Sequence, residues 1–135
     1  LNTWNTRDTG EISTKKIADT IASELDVKAE EVKKAKLKKD CLIFLGSGCY
    51  GGKPGKAMIK FIEQNDFKKR SIALFGTSGG GDGKEIEVME EQLKNKGAKI
   101  KGKFFCKGKF WFGNKTKPDE KDLENAKKFA KKMVK

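Results

Sequence analysis

The sequence contains no histidine and only three cysteines among its 135 residues. Without histidine there is no imidazole, so histidine-based metal sites and imidazole acid–base catalysis are excluded. The cysteines, Cys41, Cys49 and Cys106, are odd in number and form no C-x-x-C pair. They therefore predict neither a disulfide framework nor a zinc site, and reduced thiols of this kind indicate a cytoplasmic protein.

Long apolar runs are also absent. No stretch of about 18 apolar residues occurs, so the sequence predicts no membrane-spanning helix, and it shows no signal peptide. Hydrophobic residues make up 36% of the chain, which is typical of a globular protein. The length predicts a single domain, residues 1–135, with one hydrophobic core.

Arginine is scarce although the chain is basic. The net charge is +12, but only Arg7 and Arg70 of the 31 basic residues are arginine. Arginine is the residue favoured for bidentate contacts to guanine and phosphate, and the lysines are mixed with acidic residues as on a solvated surface. A nucleic-acid partner is therefore not favoured. A chain of this charge attracts an acidic partner protein or an anionic substrate instead.

Two glycine-rich segments each follow a short apolar run. The predicted strand 41–45 leads into the glycine-rich residues 46–56, and the predicted strand 71–75 leads into residues 76–83. A helical pattern follows each segment, so each is half of a βαβ unit. Because parallel strands place such loops on one edge of a sheet, the two loops predict a site for a flat or phosphorylated ligand.

Helical periodicity predicts four helices, over residues 13–25, from residue 57, over 83–96 and from residue 119 onward. Ser13 and Asp119 are the expected N-caps of the first and last of these helices. Gly97 is the expected left-handed residue after the third helix.

The remaining strands are predicted around these helices. A short edge strand or turn is expected near Val27, and a further strand over residues 99–106. In that strand Ile100 and Phe104 are expected on one face and Phe105 on the other, with Gly102 as a bulge. Alternating strands and helices predict the α/β class with a mostly parallel sheet.

Three loops make the sequence resemble the flavodoxins over nearly all of its length. They are Thr6-Arg-Asp-Thr-Gly-Glu-Ile-Ser-Thr14, Gly46-Ser-Gly-Cys-Tyr-Gly-Gly-Lys53 and Thr77-Ser-Gly-Gly-Gly81. The first is similar to the flavodoxin phosphate loop, and the tail from Pro118 is similar to the closing helix of short flavodoxins. The resemblance implies a flavodoxin-like three-layer α/β/α sandwich around a five-stranded parallel sheet. It also implies FMN, bound at the carboxyl ends of the strands.

The resemblance assigns roles within the loops. The phosphate would be held by hydroxyls and backbone N–H groups at a helix start, from Thr9, Gly10, Ser13 and Thr14. Tyr50, the only tyrosine, is similar to the residue that stacks on the flavin ring. The other expected contacts come from the second and third loops: Ser47, Gly48, Cys49, Gly51, Thr77, Ser78, Gly79 and Gly80.

Two side-chain groups are open to other interpretations. Cys49 is either a redox thiol or only a small side chain that fits its loop. The cluster Phe110-Trp-Phe112 covers the ring, contacts a partner, or packs under its own loop.

Two features depart from the flavodoxin pattern. Gly10 lies too far upstream of Thr14, which indicates an altered phosphate cradle. The sequence also starts at Leu1-Asn-Thr-Trp where flavodoxins have an apolar central strand. We therefore expect that the first strand is truncated or that residues are missing from the start. The alternative is a sheet that lacks most of its middle strand.

The sequence thus predicts an FMN-binding electron-transfer protein of the flavodoxin type, with an acidic redox partner protein. One alternative is an FMN-dependent reductase acting on a quinone or a protein, and another is a binding domain of this fold that has lost FMN. The chain has no obvious general acid and no dinucleotide fingerprint, which favours a carrier over an enzyme.

Overall fold

The computed structural model describes residues 3–7, 12–108 and 118–135. Five strands and four helices alternate along these residues. In chain order they are β1 (Thr3–Arg7), α1 (Ile12–Leu25), β2 (Ala29–Glu31), β3 (Leu42–Gly48), α2 (Lys56–Gln64), β4 (Ser71–Ser78), α3 (Lys84–Asn95), β5 (Lys99–Lys107) and α4 (Glu120–Met133).

The strands form one sheet in the order β2-β1-β3-β4-β5, and every neighbouring pair is parallel. The α/β class and the parallel sheet are therefore confirmed. The chain moves from β1 to β2 in one direction across the sheet, and from β3 to β5 in the other. The space between β1 and β3 is therefore the topological switch point of a doubly wound sheet. Ligands of such sheets bind beside this point, at the carboxyl ends of the strands.

Helices cover both faces of the sheet, which explains why β3 is an unbroken buried run. Ile43 and Leu45 point into one core together with apolar residues of α2 and α3. Leu42 and Phe44 point into the other core, together with residues of α1 and α4. Successive residues of a strand face opposite ways, so the apolar run supplies both cores of the predicted three-layer sandwich.

The first strand is short but fully paired. Its five residues pair with Leu42–Gly46 of β3, and its last three also pair with β2. The expectation of a sheet without most of its middle strand is therefore wrong. An apolar pattern does not identify β1, because the strand is largely polar. In the structure its Thr6 and Arg7 side chains are stable inside the sheet because they find partners. Thr6 Oγ1 donates to the Glu30 carbonyl at 2.8 Å, and Arg7 Nη2 donates to Glu31 Oε1 at 3.2 Å.

A register shift in β5 changes which face its residues occupy. Ile72 pairs with Ile100 but Ala73 pairs with Gly102, so Lys101 is an extra residue, at the predicted bulge. Because one inserted residue reverses the alternation of faces, Ile100 packs in the α2/α3 core and Phe104 in the α1/α4 core. The prediction that these two residues share a face is wrong.

The helix ends agree with the sequence in two of three places. Asp119 accepts a hydrogen bond from the Asp122 N–H and completes a capping box at α4. Gly97 has the left-handed conformation after α3, with φ of 82°, and the expected edge strand near Val27 is β2. The N-cap prediction for Ser13 is wrong, because α1 already begins at Ile12. No helix among the described residues is long and apolar enough to cross a membrane.

Gly46 leaves no space for a side chain in the sheet, since a Cβ there would lie 1.9 Å from Cε2 of Phe75. We expect Gly46→Ala to lower the free energy of unfolding by roughly 1–3 kcal/mol, because overpacking moves core side chains. Urea denaturation measures this change. Gly80→Ala is the control, since its nearest neighbour is an Asp82 carboxyl atom at 3.9 Å, and a comparable loss there would contradict the packing explanation.

Candidate functional site

The carboxyl edge of the sheet brings two of the predicted loops together. β3 and β4 are parallel neighbours that end at Gly48 and Ser78. The loops after them therefore leave the sheet side by side. Both strands extend three residues beyond their predicted ends, so Ser47, Gly48, Thr77 and Ser78 are strand residues and not loop residues. Thr9 and Gly10 of the first predicted loop lie outside the described residues, as does the 110–112 cluster.

A buried hydroxyl contact links the first predicted loop region to the third. Thr14 Oγ1 in the first turn of α1 lies 2.8 Å from Thr77 Oγ1 at the end of β4. Ser13 beside it is also buried. Gly108 completes the group, because a Cβ there would lie 3.0 Å from Ser13 Cβ and 3.2 Å from Thr77 Cβ. Residues of α1, β4 and the segment after β5 thus meet at one place.

The second loop is fixed at its base and open at its tip. Ser47 Oγ accepts a hydrogen bond from the Gly55 N–H at 2.9 Å, which ties the loop's end to β3. At the tip, Tyr50 and Lys53 exchange two backbone hydrogen bonds, of 2.8 and 3.2 Å. Gly51 and Gly52 between them have φ of 61° and 80°, which only glycine adopts readily. This tight turn leaves the Tyr50 side chain 46% exposed.

The third loop is closed by its own residues. Ser78 Oγ accepts a hydrogen bond from the Gly81 N–H at 2.8 Å, so this hydroxyl shapes the turn. Gly81 has φ of 67°, and a Cβ there would lie 2.8 Å from Lys107 Cγ. Gly80 is exposed at the tip. The loop backbone is therefore held close to the end of β5.

Glu85 is the unexpected member of the site. It lies in the first turn of α3 and is completely buried. Neither carboxylate oxygen has a hydrogen-bond partner among the described residues. Gly76 makes room for the group, since a Cβ at Gly76 would lie 2.3 Å from Glu85 Oε1. An acidic residue in a first helical turn is normally a surface charge that offsets the helix dipole, so the burial of Glu85 could not be predicted from the sequence.

Burial raises the pKa of Glu85, and nearby Asp82 and Glu87 act in the same direction, while the Cys49 thiol opposes them. Burial also raises the pKa of Cys49, and the charge of Glu85 adds to this effect. A thiol with a raised pKa stays protonated at neutral pH and is a poor nucleophile. The interpretation of Cys49 as a small side chain packed in its loop fits this environment better than a reactive thiol.

Comparisons with known proteins agree with this geometry. The family model described as "Flavodoxin domain" matches residues 9–132. A protein of Methanocaldococcus jannaschii, described as uncharacterized, is 35% identical over an alignment of 136 positions, which covers 91% of this chain and 91% of that protein. A flavodoxin from the domain Archaea has a TM-score of 0.79 at 19% identity, with both chains fully covered. A Streptococcus pneumoniae flavodoxin has the same TM-score at 16% identity, covering 99% of this chain and 98% of its own. At these identities the two structures show the shared fold alone.

The buried Glu85 carboxyl predicts a pH-dependent stability. A raised pKa means that the folded state binds the proton more tightly, so stability falls as pH rises from the unfolded-state pKa, about 4.3, to the folded-state value. We expect Glu85→Gln to raise the free energy of unfolding at neutral pH by about 1 kcal/mol or more. We expect no such gain near pH 4.

Urea denaturation of both proteins between pH 4 and pH 8 measures this difference. Glu91→Gln is the matched control, because Glu91 is an exposed residue of the same helix, and we expect it to change stability by less than about 0.5 kcal/mol at any pH. If the free energy of unfolding varies with pH in the same way for Glu85→Gln and for the unmodified protein, folding does not raise the pKa of Glu85.

Proposed function

The chain belongs to the flavodoxin domain family, and on that premise we propose that it binds FMN non-covalently and transfers electrons between other proteins. One observation carries the proposal. The buried Thr14–Thr77 contact joins the start of α1 to the end of β4, next to the two glycine-rich loops at the carboxyl edge. This is the edge at which sheets of this topology bind ligands.

The start of α1 fits a phosphate group. Ser13 and Thr14 offer hydroxyls there, and the first N–H groups of a helix have no partner within the helix. The first turn of α1 has no acidic residue among the described ones, so the positive end of the helix dipole is not neutralised from within. Neutral donors of this kind would hold the phosphate without a lysine.

The loop tips fit a planar ring. Tyr50 presents a half-exposed aromatic side chain, and the position of a Cβ at Gly51 has no atom within 4 Å. A ring stacked on Tyr50 would therefore meet open space and glycine backbone, which allow close approach. When bound, FMN supplies the electron-transfer chemistry. The residues of this chain bind it, orient it and limit its contact with water.

The thiol environment favours a carrier over a reductase. A reductase that used Cys49 would need a reactive thiolate, whereas the pKa of Cys49 is raised by burial. Turnover of a quinone with a pyridine nucleotide as the electron donor would support the reductase instead.

The surface charge favours an acidic redox partner. Four exposed lysines lie at or next to the carboxyl ends of β3, β4 and β5: Lys53, Lys56, Lys84 and Lys107. With a net charge of +12, they would speed the approach of an acidic protein and hinder a basic one. Strong salt dependence of the association rate is the signature of such steering.

Addition of FMN to the purified protein tests the central proposal directly. Binding changes the visible absorption spectrum of FMN and quenches or shifts its fluorescence. An unchanged spectrum at millimolar protein would support a domain of this fold that does not bind FMN.

The phosphate assignment predicts a ligand-specific effect of Thr14→Ala. We expect it to weaken FMN binding about tenfold or more, because a hydrogen bond to a charged group is lost, and to affect riboflavin by no more than about twofold. Titration of each ligand measures the dissociation constants. Thr20→Ala on the same helix is the matched control, since its hydroxyl donates to the Lys16 carbonyl. Equal losses for FMN and riboflavin would move the phosphate away from Thr14.

The stacking assignment predicts the opposite pattern for Tyr50→Ala. We expect it to weaken FMN and riboflavin equally, by about tenfold, and to shift the midpoint potential of the bound flavin. Tyr50→Phe retains the ring and should bind nearly as well as the unmodified protein. Phe105→Ala removes an aromatic side chain of the same 46% exposure. A loss in Phe105→Ala but not in Tyr50→Ala would place the ring elsewhere.

A further inference from the structure

A basic cleft lies at the edge of the sheet opposite the glycine-rich loops. It encloses about 430 Å³, within the range of small-molecule sites. The residues that define it come from the amino ends of three neighbouring strands: Lys39, Asp40, Cys41, Lys69, Arg70 and Lys101. We call it the amino-edge cleft.

The charges in the amino-edge cleft are not balanced. Among the described residues that line it, four side chains are cationic and one, Asp40, is a carboxylate. None of the four forms an ion pair with a carboxylate in the part of the chain that the structure describes. Four like charges around one cleft create a positive potential that favours a bound anion.

Backbone irregularities in three separate segments build the cleft. Asp40 and Lys69 have left-handed φ values of 57° and 61°, which are uncommon for residues other than glycine. Lys101 is the extra residue of the β5 bulge, and bulges redirect side chains out of a regular strand. Irregular backbone of this kind concentrates at binding sites.

Arg70 is held in place by its surroundings. Its Nη2 donates to the Lys38 carbonyl and lies 4.0 Å from Cys41 Sγ. The Arg70 carbonyl accepts from the Lys99 N–H at 2.8 Å, which fixes the backbone to β5. A guanidinium has five N–H donors in one plane, so donors remain for a ligand after these contacts. An anchored guanidinium loses little freedom when it binds an oxyanion.

The lining identifies the class of ligand. The described residues that line the cleft include no aromatic side chain, so they offer no surface on which a nucleobase would stack. Several cations in a small volume match an anion that carries several charges close together. We propose that the amino-edge cleft binds a small oligophosphate, either free or as the phosphate chain of a larger metabolite. This site is separate from the one proposed for FMN, which lies at the other ends of the same strands.

Calorimetric titration of the full chain with sodium tripolyphosphate, in the presence of saturating FMN, tests the proposal. Saturating FMN fills the phosphate site proposed at the carboxyl edge. The FMN absorption spectrum of the same sample shows separately whether FMN has bound, so the two proposals are tested independently. We expect Lys69→Gln/Lys101→Gln to weaken tripolyphosphate binding about tenfold. Both side chains are exposed, so the fold should be retained.

Lys121→Gln/Lys128→Gln is the matched control, because it removes the same charge from two exposed residues of α4. We expect it to change the affinity by less than about twofold. Amide chemical shifts should locate the anion, with the largest changes at Asp40, Ser71 and Lys101. If ATP binds as tightly as tripolyphosphate, the ligand of the cleft is the phosphate chain of a larger metabolite and not a free oligophosphate.

Three results would overturn the proposal. The first is no binding of tripolyphosphate at physiological ionic strength. The second is an equal loss of affinity in both double variants, which would show attraction to the net charge alone. The third is a single-stranded oligonucleotide or an acidic peptide that binds more tightly than tripolyphosphate through the same three amides, which would make the cleft part of a macromolecular interface.

Discussion

The hydroxyl contact between Thr14 and Thr77 holds the carboxyl edge of the sheet together. It ties the first turn of α1 to the end of β4, and Gly108 lets the chain after β5 approach the same two elements. Both hydroxyls are buried, where a hydrogen bond is stronger and an unpaired group costs more than in water. The first turn of α1, the end of β4 and Gly108 are therefore held at this edge by one small polar cluster.

Polar groups shape the interior in two contrasting ways. In β1 they are satisfied by the backbone and by the Glu31 carboxylate of β2, so a polar strand is stable in the middle of the sheet. The Glu85 carboxylate, buried beside the glycine-rich loops, has no hydrogen-bond partner of ordinary geometry among the described residues, as is also true of Gln92 Oε1. Buried polar groups without partners are rare in folded proteins, and each calls for an explanation. For Glu85, burial raises the pKa of the carboxyl, and the protonated form carries no charge.

Much of the fold followed from the sequence, because apolar periodicity and capping residues act locally. The strand at residues 41–45, the capping box at Asp119 and the left-handed Gly97 are examples. β1 was expected only as a truncated first strand, because its sequence is polar and its pairing with β2 and β3 is long-range. Ile100 and Phe104 lie on opposite faces of the sheet because a bulge separates them. The position of that bulge is set by the pairing of β5 with β4. The second and third loops leave β3 and β4 side by side, as the topology predicts, but each begins three residues later than expected. Glu85 was missed because its burial depends on the absence of a side chain at Gly76, on another element.

The bulge at Lys101 has a consequence for how this surface can change over time. The residue is surplus to the pairing of β4 with β5, which continues in step on either side of it. The Lys101 side chain consequently does not pack in either hydrophobic core. Its neighbours differ, because Ile100 packs in one core and Gly102 lies against Met133 of the other. A substitution at Lys101 would therefore change the chemistry of the amino edge of the sheet without disturbing the packing that supports its carboxyl edge.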